Sequence, residues 1–487
     1  MKTTSFKRRF LILPLILMIG TGSVFAQDSE AEDKDTELVF TMENESEEQT
    51  YKRNFLVAGG ALIFPNMVIG AWNRFIIKSS WAQVGFDDLT HFYEHKWAWD
   101  EDWYWTNFVL HPYQGALTYM GARSANFTPW ESILWATASS VIWEYFFETN
   151  APSINDLIYT SVGAFPLGEM LFRLSYSLQN VWSPLRFLAN PVRLFTDPTM
   201  RGKTNVPKGN VTELSFKFGV GTEIGKTWAD SEHESIKEQY PAFLSAFMDI
   251  VYGNPYGNDS NIPYSQFELS FGGNIGLPSG YGYKELEEKL MYEVKILSNG
   301  MVLARSVEGK DNVRTTVGIV LDYDFIWQSF QELSTISPGF AIKQQIEFPA
   351  STLSWQFHLD ATLLGTTDFY YYRRRQFDDY LSYRSYSYAI GAESVGKIEW
   401  KSQNGHKLSF DAHSYLMYDM ENQTYGEMSS GLEIFSLCQL DYEYRIAKNI
   451  SLGLSNNVYL KYATYKDLPS IFATMYKGQV YTRVWVR

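Results

Sequence analysis

Ser132, Ala136, Ser140, Glu144 and Glu148 recur at every fourth position, so on a helix they form one stripe of small residues that closes on two carboxylates. Ile133, Leu134, Ile142, Tyr145 and Phe146 fall on the opposite side. Small side chains let a second helix approach closely, and the two acids then come within reach of His111, Arg123, Asp156 or Glu169 from neighbouring segments. A buried group of carboxylates with a histidine is the chemistry of proton transfer or of metal ligation. The candidate catalytic residues are therefore His111, Glu144, Glu148, Asp156 and Glu169. Each also has a purely structural explanation. Asp156 and Glu131 stand where helix caps are expected, and Glu144 or Glu148 facing Arg123 or Arg173 makes an ordinary ion pair. No HExxH, GxSxG or phosphate-binding glycine loop occurs, and the glycine pairs Gly59-Gly60 and Gly272-Gly273 lack the surroundings of a nucleotide site. No cofactor is expected, and no metal and no enzyme activity are assigned.

The elements that would position these residues are helical over 51–178. Phe55 to Ile77 is apolar but interrupted by Pro65. Thr128-Pro129-Trp130-Glu131 is a capping box with proline at the first helical position, which predicts a helix to about Glu148. Ser153-Ile154-Asn155-Asp156, after Pro152, opens the next helix in the same way. His111 before Pro112 is the expected N-cap of a helix to about Arg123. The stretch 181–210, rich in Pro, Arg and Lys, reads as a connector.

From 211 to 487 the period changes to two. Val317, Ile319, Leu321, Tyr323, Phe325 and Trp327 interleave with Thr316, Gly318, Asp322 and Asp324, and Leu353, Trp355, Phe357, Leu359 and Leu363 with Ser354, Gln356, His358, Asp360 and Thr362. The segments are long for strands of a soluble sheet and suit a tilted membrane span. Turns are expected at Asn299-Gly300 and Lys448-Asn449, and aromatic residues gather at segment ends in Phe369 to Tyr372 and Tyr383 to Tyr388. The fold class expected is α+β: an N-terminal helical domain followed by an antiparallel transmembrane β-barrel of about 12 strands, an even number as bacterial single-chain barrels have. Its apolar face meets lipid, and Glu268, Asp322, Asp324, His358, Asp360, Asp411 and His413 line the lumen.

Composition agrees with an exported envelope protein. Lys2, Lys7, Arg8 and Arg9, then the apolar run from Phe10 to Ile19, then small residues up to Ala26, predict a cleaved signal peptide over 1–26. Asp28 to Glu48 holds ten acids against Lys34 alone, an acidic disordered leader over 27–50. The net charge of −14 excludes a nucleic-acid partner. Cys438 is the single cysteine, which rules out an intramolecular disulfide. Tyr, Trp and Phe make up 17% of the chain, and Tyr and Trp favour membrane interfaces.

The run Asn107, His111-Pro112, Gly115, Tyr119, Ala122-Arg123, Ser132, Trp143-Glu144, Glu148, Pro152-Ser153, Asp156, Gly163 and Gly168-Glu169 resembles an uncharacterised bacterial envelope family, domain of unknown function 3943, over about Asp100 to Arg173. The resemblance implies a secreted protein with a helical N-terminal domain and a β-rich C-terminus, and carries no catalytic residue. Three functional readings follow. In the first, the domains are 51–180 helical, 181–210 linker and 211–487 outer-membrane barrel, with the helices capping or plugging one end in a structural, binding or narrow transport role; its partners are outer-membrane lipid and a small-molecule or envelope ligand still to be named. The second is an envelope enzyme acting on lipid or cell-wall material through the His/Glu cluster. The third, an inner-membrane helical protein with a soluble β domain, is opposed by Asn66, Asn73, Glu131, Ser139, Ser140 and Glu144 within the apolar helices, since polar groups in hydrocarbon are costly.

Overall fold

The computed structural model describes residues 51–486, apart from 92–93, 95, 100–101, 230–236, 277–291, 329–330, 374–383 and 422–429. The expected signal peptide and acidic leader lie outside the described residues.

Twelve strands form one closed antiparallel barrel. They are β1 (Val211–Ala229), β2 (Lys237–Tyr252), β3 (Phe267–Gly276), β4 (Tyr292–Val307), β5 (Val313–Gln328), β6 (Glu332–Phe348), β7 (Ser351–Asp368), β8 (Tyr386–Ser402), β9 (His406–Asp419), β10 (Ser430–Ala447), β11 (Ile450–Tyr465) and β12 (Ile471–Trp485). Closure is made by β1 on β12, in register from Ser215 opposite Trp485 to Ala229 opposite Ile471. A closed sheet has no edge, which is what lipid demands of strands. The alternation read from the sequence is the alternation of the wall. On β11, Ser455, Asn457, Tyr459 and Lys461 are buried in the lumen while Leu452, Leu454, Val458 and Leu460 face outward and are exposed. Lys448-Asn449 does join β10 to β11. Asn299-Gly300 is not a turn: both residues lie inside β4, paired with Asp322 and Leu321 of β5. Gly300 is needed there because the ring of Tyr264 lies where a side chain would begin.

The helices ahead of the barrel are α1 (Phe55–Ala71), α2 (Phe86–Thr90), α3 (His111–Ser124), α4 (Pro129–Phe146), α5 (Ile154–Val162), α6 (Ala164–Leu178), α7 (Leu185–Ala189) and α8 (Arg193–Met200), and a short helix over Tyr370–Arg373 follows β7. The capping box at the head of α4 is formed: Thr128 Oγ1 accepts from the Glu131 amide at 3.3 Å and Glu131 Oε2 from the Thr128 amide at 3.0 Å. Ser153 caps α5 through the Asp156 amide at 3.1 Å. His111 is not an N-cap, because a π-helical turn over Thr106–Leu110 runs into α3 and gives His111 helical backbone angles. Pro65 sits within α1 without ending it, and a π-helical turn extends that helix from Trp72 to Ile77. The expected connector over 181–210 contains α7 and α8, and α8 is held by Val192, Phe195 and Met200 packing on α1 and α3.

The helices neither cap nor plug the barrel; they lie on its outer wall. Lumen-facing positions of β5 are the even ones, since Asp322 and Asp324 meet other lumen groups, so Leu321, Tyr323, Phe325 and Trp327 face out. These odd positions, with Tyr386 and Tyr388 of β8, are what the helical domain grips. The Tyr323 hydroxyl donates to the Phe108 carbonyl, and Tyr104 Oη donates to the Ile326 carbonyl at 3.1 Å. Asn107 Nδ2 donates to Tyr386 Oη at 2.6 Å and to Tyr388 Oη at 3.1 Å. The Trp105 ring packs at 4.9 Å on both Phe325 and Trp327. Further along the wall, Phe165 packs on Tyr264 at 5.5 Å, and at the end of β2 the Arg173 guanidinium lies 5.9 Å from the Tyr252 ring. In the described lumen, groups reach across to one another where a plug would sit: Lys397 of β8 to Glu268 of β3 at 2.8 Å, and Tyr415 of β9 to Asp324 of β5 at 2.6 Å.

Candidate functional site

The helical domain combines an apolar core with a buried polar stripe and leaves several large apolar side chains on its surface. Its stripe of Ser132, Ala136, Ser140 and Glu144 is buried, whereas Leu134 on the other side of α4 is 69% exposed. On α1, Asn66 is fully buried while Phe55, Met67, Phe75 and Ile76 are each more than half exposed. Phe55–Ile77 is long and apolar enough to cross a membrane, with 39% of its most apolar window buried. Of the polar residues in these apolar helices, Asn66, Ser139, Ser140 and Glu144 are buried, while Asn73 and Glu131 are partly exposed. Asn66 Nδ2 donates to Ser139 Oγ at 2.8 Å, and Gln114 Nε2 donates to Asn66 Oδ1 at 3.0 Å.

The five sequence candidates separate into distinct partnerships. His111 Nε2 lies 3.3 Å from Asp156 Oδ2, both buried, so these two do meet. Glu144 accepts from the Ser153 amide at 2.8 Å, which holds the loop that begins α5. Glu148 lies beyond the end of α4 and accepts from Trp143 Nε1 at 2.6 Å. Glu169, with no exposed surface, accepts from Arg123 Nε at 2.8 Å, Arg173 Nε at 2.8 Å and Tyr119 Oη at 2.9 Å. A carboxylate clamped by two guanidiniums and a phenol is fixed as an anion and has a structural task. Among the described residues, the five do not converge into a three-ligand metal group. Close backbone approach completes the domain: a side chain at Gly115 would collide with the Thr160 carbonyl of α5.

The lumen carries the denser chemistry. One part is a lattice of matched charges: Lys217 with Asp441 at 2.7 Å, Lys295 with Glu293 at 3.1 Å, Lys477 with Glu223 at 2.9 Å, and Arg483 with Glu443 at 2.8 Å. A cavity of about 70 Å³ remains among Lys217, Asp249, Lys295, Lys477 and Arg483, room for a few waters. The other part is acidic. Asp322, His358 and Asp360 bring ligand atoms within 4.8 Å of one another, as do Asp324, Glu393 and His413 beside them. Five of these six were assigned to the lumen by the strand period. Glu393 was missed, although Glu393 alternates with Ala392 and Ser394 on β8 and stands opposite Asp360 in the register. The hydroxyls of Tyr323, Tyr386 and Tyr388 on an otherwise apolar outer face were the sequence signal for a docked domain, and they too were missed.

The partnerships Asn107 to barrel, His111 to Asp156, Tyr119 and Arg123 to Glu169, and Glu144 to Ser153 join the residues that carried the family resemblance into one core. Residues 96–199 match the family model Domain of unknown function (DUF3943). The matched segment thus contains α3 to α7, nearly all of α8 and the docking residues Trp99, Tyr104, Trp105, Asn107 and Phe108, and stops short of the barrel. No curated protein matches the chain. Among solved structures the chain is similar to the NanC porin (9% identity, TM-score 0.23, 53% of this chain and 98% of that one). It is also similar to a Pseudomonas aeruginosa FadL homologue (10%, 0.24, 61% and 93%) and to the KdgM porin (8%, 0.21, 54% and 98%). Scores at this level carry no argument, and the architecture rests on the strand pairings themselves.

Proposed function

We propose that the protein is an integral barrel of the outer membrane whose helical domain is immersed in lipid beside the wall, and that it serves the envelope as a structural or binding element rather than as an open pore. The observation that carries this reading is a feature both parts share: each holds charged groups in its interior and leaves large apolar side chains on its surface. Leu454 on the bare wall of β11 and Met67 on α1 are 52% and 58% exposed, as a hydrocarbon solvent favours. The crowded lumen speaks against a wide open pore, because lysine, arginine and carboxylate side chains bridge opposite strands and a barrel of this size has little space to spare.

An enzymatic reading retains one supporting feature, the buried His111–Asp156 pair in a domain that faces lipid. The His111→Ala variant addresses it: a folded variant with every cellular phenotype of the parent removes the idea. For the main reading, sucrose-gradient fractionation is expected to place the protein in the outer-membrane fraction with heat-modifiable gel migration. Planar bilayers containing it are expected to show no steady conductance. Recovery as a freely soluble periplasmic protein, or a stable open-channel current, contradicts the proposal.

A further inference from the structure

We propose that the barrel lumen binds a divalent transition-metal ion between Asp322 of β5 and His358 and Asp360 of β7. Many other lumen acids are met by bases: Asp441 by Lys217, Glu443 by Arg483, Glu268 by Lys397 at 2.8 Å and Glu399 by Lys407 at 2.6 Å. The region around Asp322 breaks that pattern. Asp322, Asp324, Asp360 and Glu393 crowd together, and among the described residues no lysine or arginine forms an ion pair with any of them; their close partners are His358, at 2.9 Å from Asp322, and His413, at 3.5 Å from Asp324. The nearby Lys343 directs its ammonium to Asn299 at 2.9 Å and Glu268 at 3.5 Å instead.

Several of these groups are also orphaned. Asp360 is 3% exposed, yet among the described residues neither carboxylate oxygen has a hydrogen-bond partner, and the same is true of Asp322 Oδ1 and of Nε2 of the fully buried His358. Buried acids left in this state are strongly unfavourable without a compensating charge. The fold makes room for the arrangement: a side chain at Gly339 would occupy the place of Asp360 Oδ1. Asp324 and Glu393 are better satisfied, by Tyr415 Oη at 2.6 Å and Thr335 Oγ1 at 3.0 Å, so they flank the site. One imidazole with two carboxylates suits zinc or manganese better than calcium or magnesium, and three protein donors leave a position for water. Bound there, the ion ties β5 to β7 across the lumen side of β6. This goes beyond the proposed function and requires only the barrel.

The test uses the full chain purified folded in detergent, stripped with a chelator and titrated calorimetrically with zinc chloride and with manganese chloride. The expected result is saturable binding to the parent, weakened about ten-fold or more in Asp360→Asn and in His358→Gln, with heat-modifiable migration retained. Parent protein that binds neither ion, or folded variants that bind like the parent, overturns the proposal. Should the variants fail to fold, X-ray absorption on the zinc-loaded parent decides: mixed imidazole and carboxylate ligation supports the site, and water or surface-type oxygen ligation alone refutes it.

Discussion

The barrel and the helical domain both hold charged groups inside and large apolar groups on the surface, and they neutralise those charges by opposite means. In the barrel the partners are far apart along the chain. Lys217 on β1 answers Asp441 on β10, and Lys477 on β12 answers Glu293 on β4, so the lumen lattice exists only once the ring has closed. In the helical domain Glu169 finds Arg173 one turn away and Arg123 on an adjacent helix, and the finished core leans on the barrel through Asn107, Tyr323, Tyr386 and Tyr388. The difference teaches that a polar stripe on a helix says nothing about water until its neighbours are known. Ser139, Ser140 and Glu144 count against lipid contact when read from the sequence, yet all three lie inside the helical core.

Breaking one region while sparing the other tests this contrast. The largest effect is expected from Glu169→Ala, which leaves two buried guanidiniums without their carboxylate, a loss of about 3–5 kcal/mol. Limited proteolysis of the variant is expected to open the helices over 51–200 while the barrel keeps its heat-modifiable migration; simultaneous collapse of both would show that the two regions are one cooperative unit. Asn107→Ala removes the hydrogen bonds to Tyr386 and Tyr388, worth about 1–3 kcal/mol. Hydrogen exchange is expected to quicken over 102–110 and to stay unchanged on β10 to β12, and protection unchanged in both places would mean that the wall does not hold the domain. Thr128→Ala has the smallest effect, about 1 kcal/mol from the lost cap. A lowered unfolding midpoint of the helices, with the barrel transition unmoved, is the expected readout in detergent; an equal shift of both transitions would blur the comparison.

The barrel was legible because a period of two ties every residue to one face, and long strands repeat the signal. Alternation by itself puts Asp322, Asp324, His358 and Asp360 in the lumen, and the count of twelve strands follows from about a dozen alternating segments and the even number such barrels have. The rule failed at Asn299-Gly300, where turn-forming residues serve a different purpose, the seating of Tyr264 against β4. Local capping chemistry was equally readable at Thr128 and Ser153. The position of the helices was not readable, since it depends on which outward tyrosines of β5 and β8 meet Asn107 and Phe108, a pairing between segments more than two hundred residues apart. The candidate site suffered likewise. His111 and Asp156 meet as their spacing allowed, while Glu148 falls past the end of its helix and Glu169 is taken by two arginines.

Whether the helical domain lies in hydrocarbon is settled most directly by spin-label accessibility in lipid vesicles. Labels are placed by Met67→Cys on α1, Leu454→Cys on the bare barrel wall and Asn404→Cys in the turn between β8 and β9, each in a Cys438→Ser background. Collision with oxygen should be frequent, and with a water-soluble nickel chelate rare, at position 67 as at position 454. A label at 67 that behaves like the one at 404 would contradict a lipid-immersed domain.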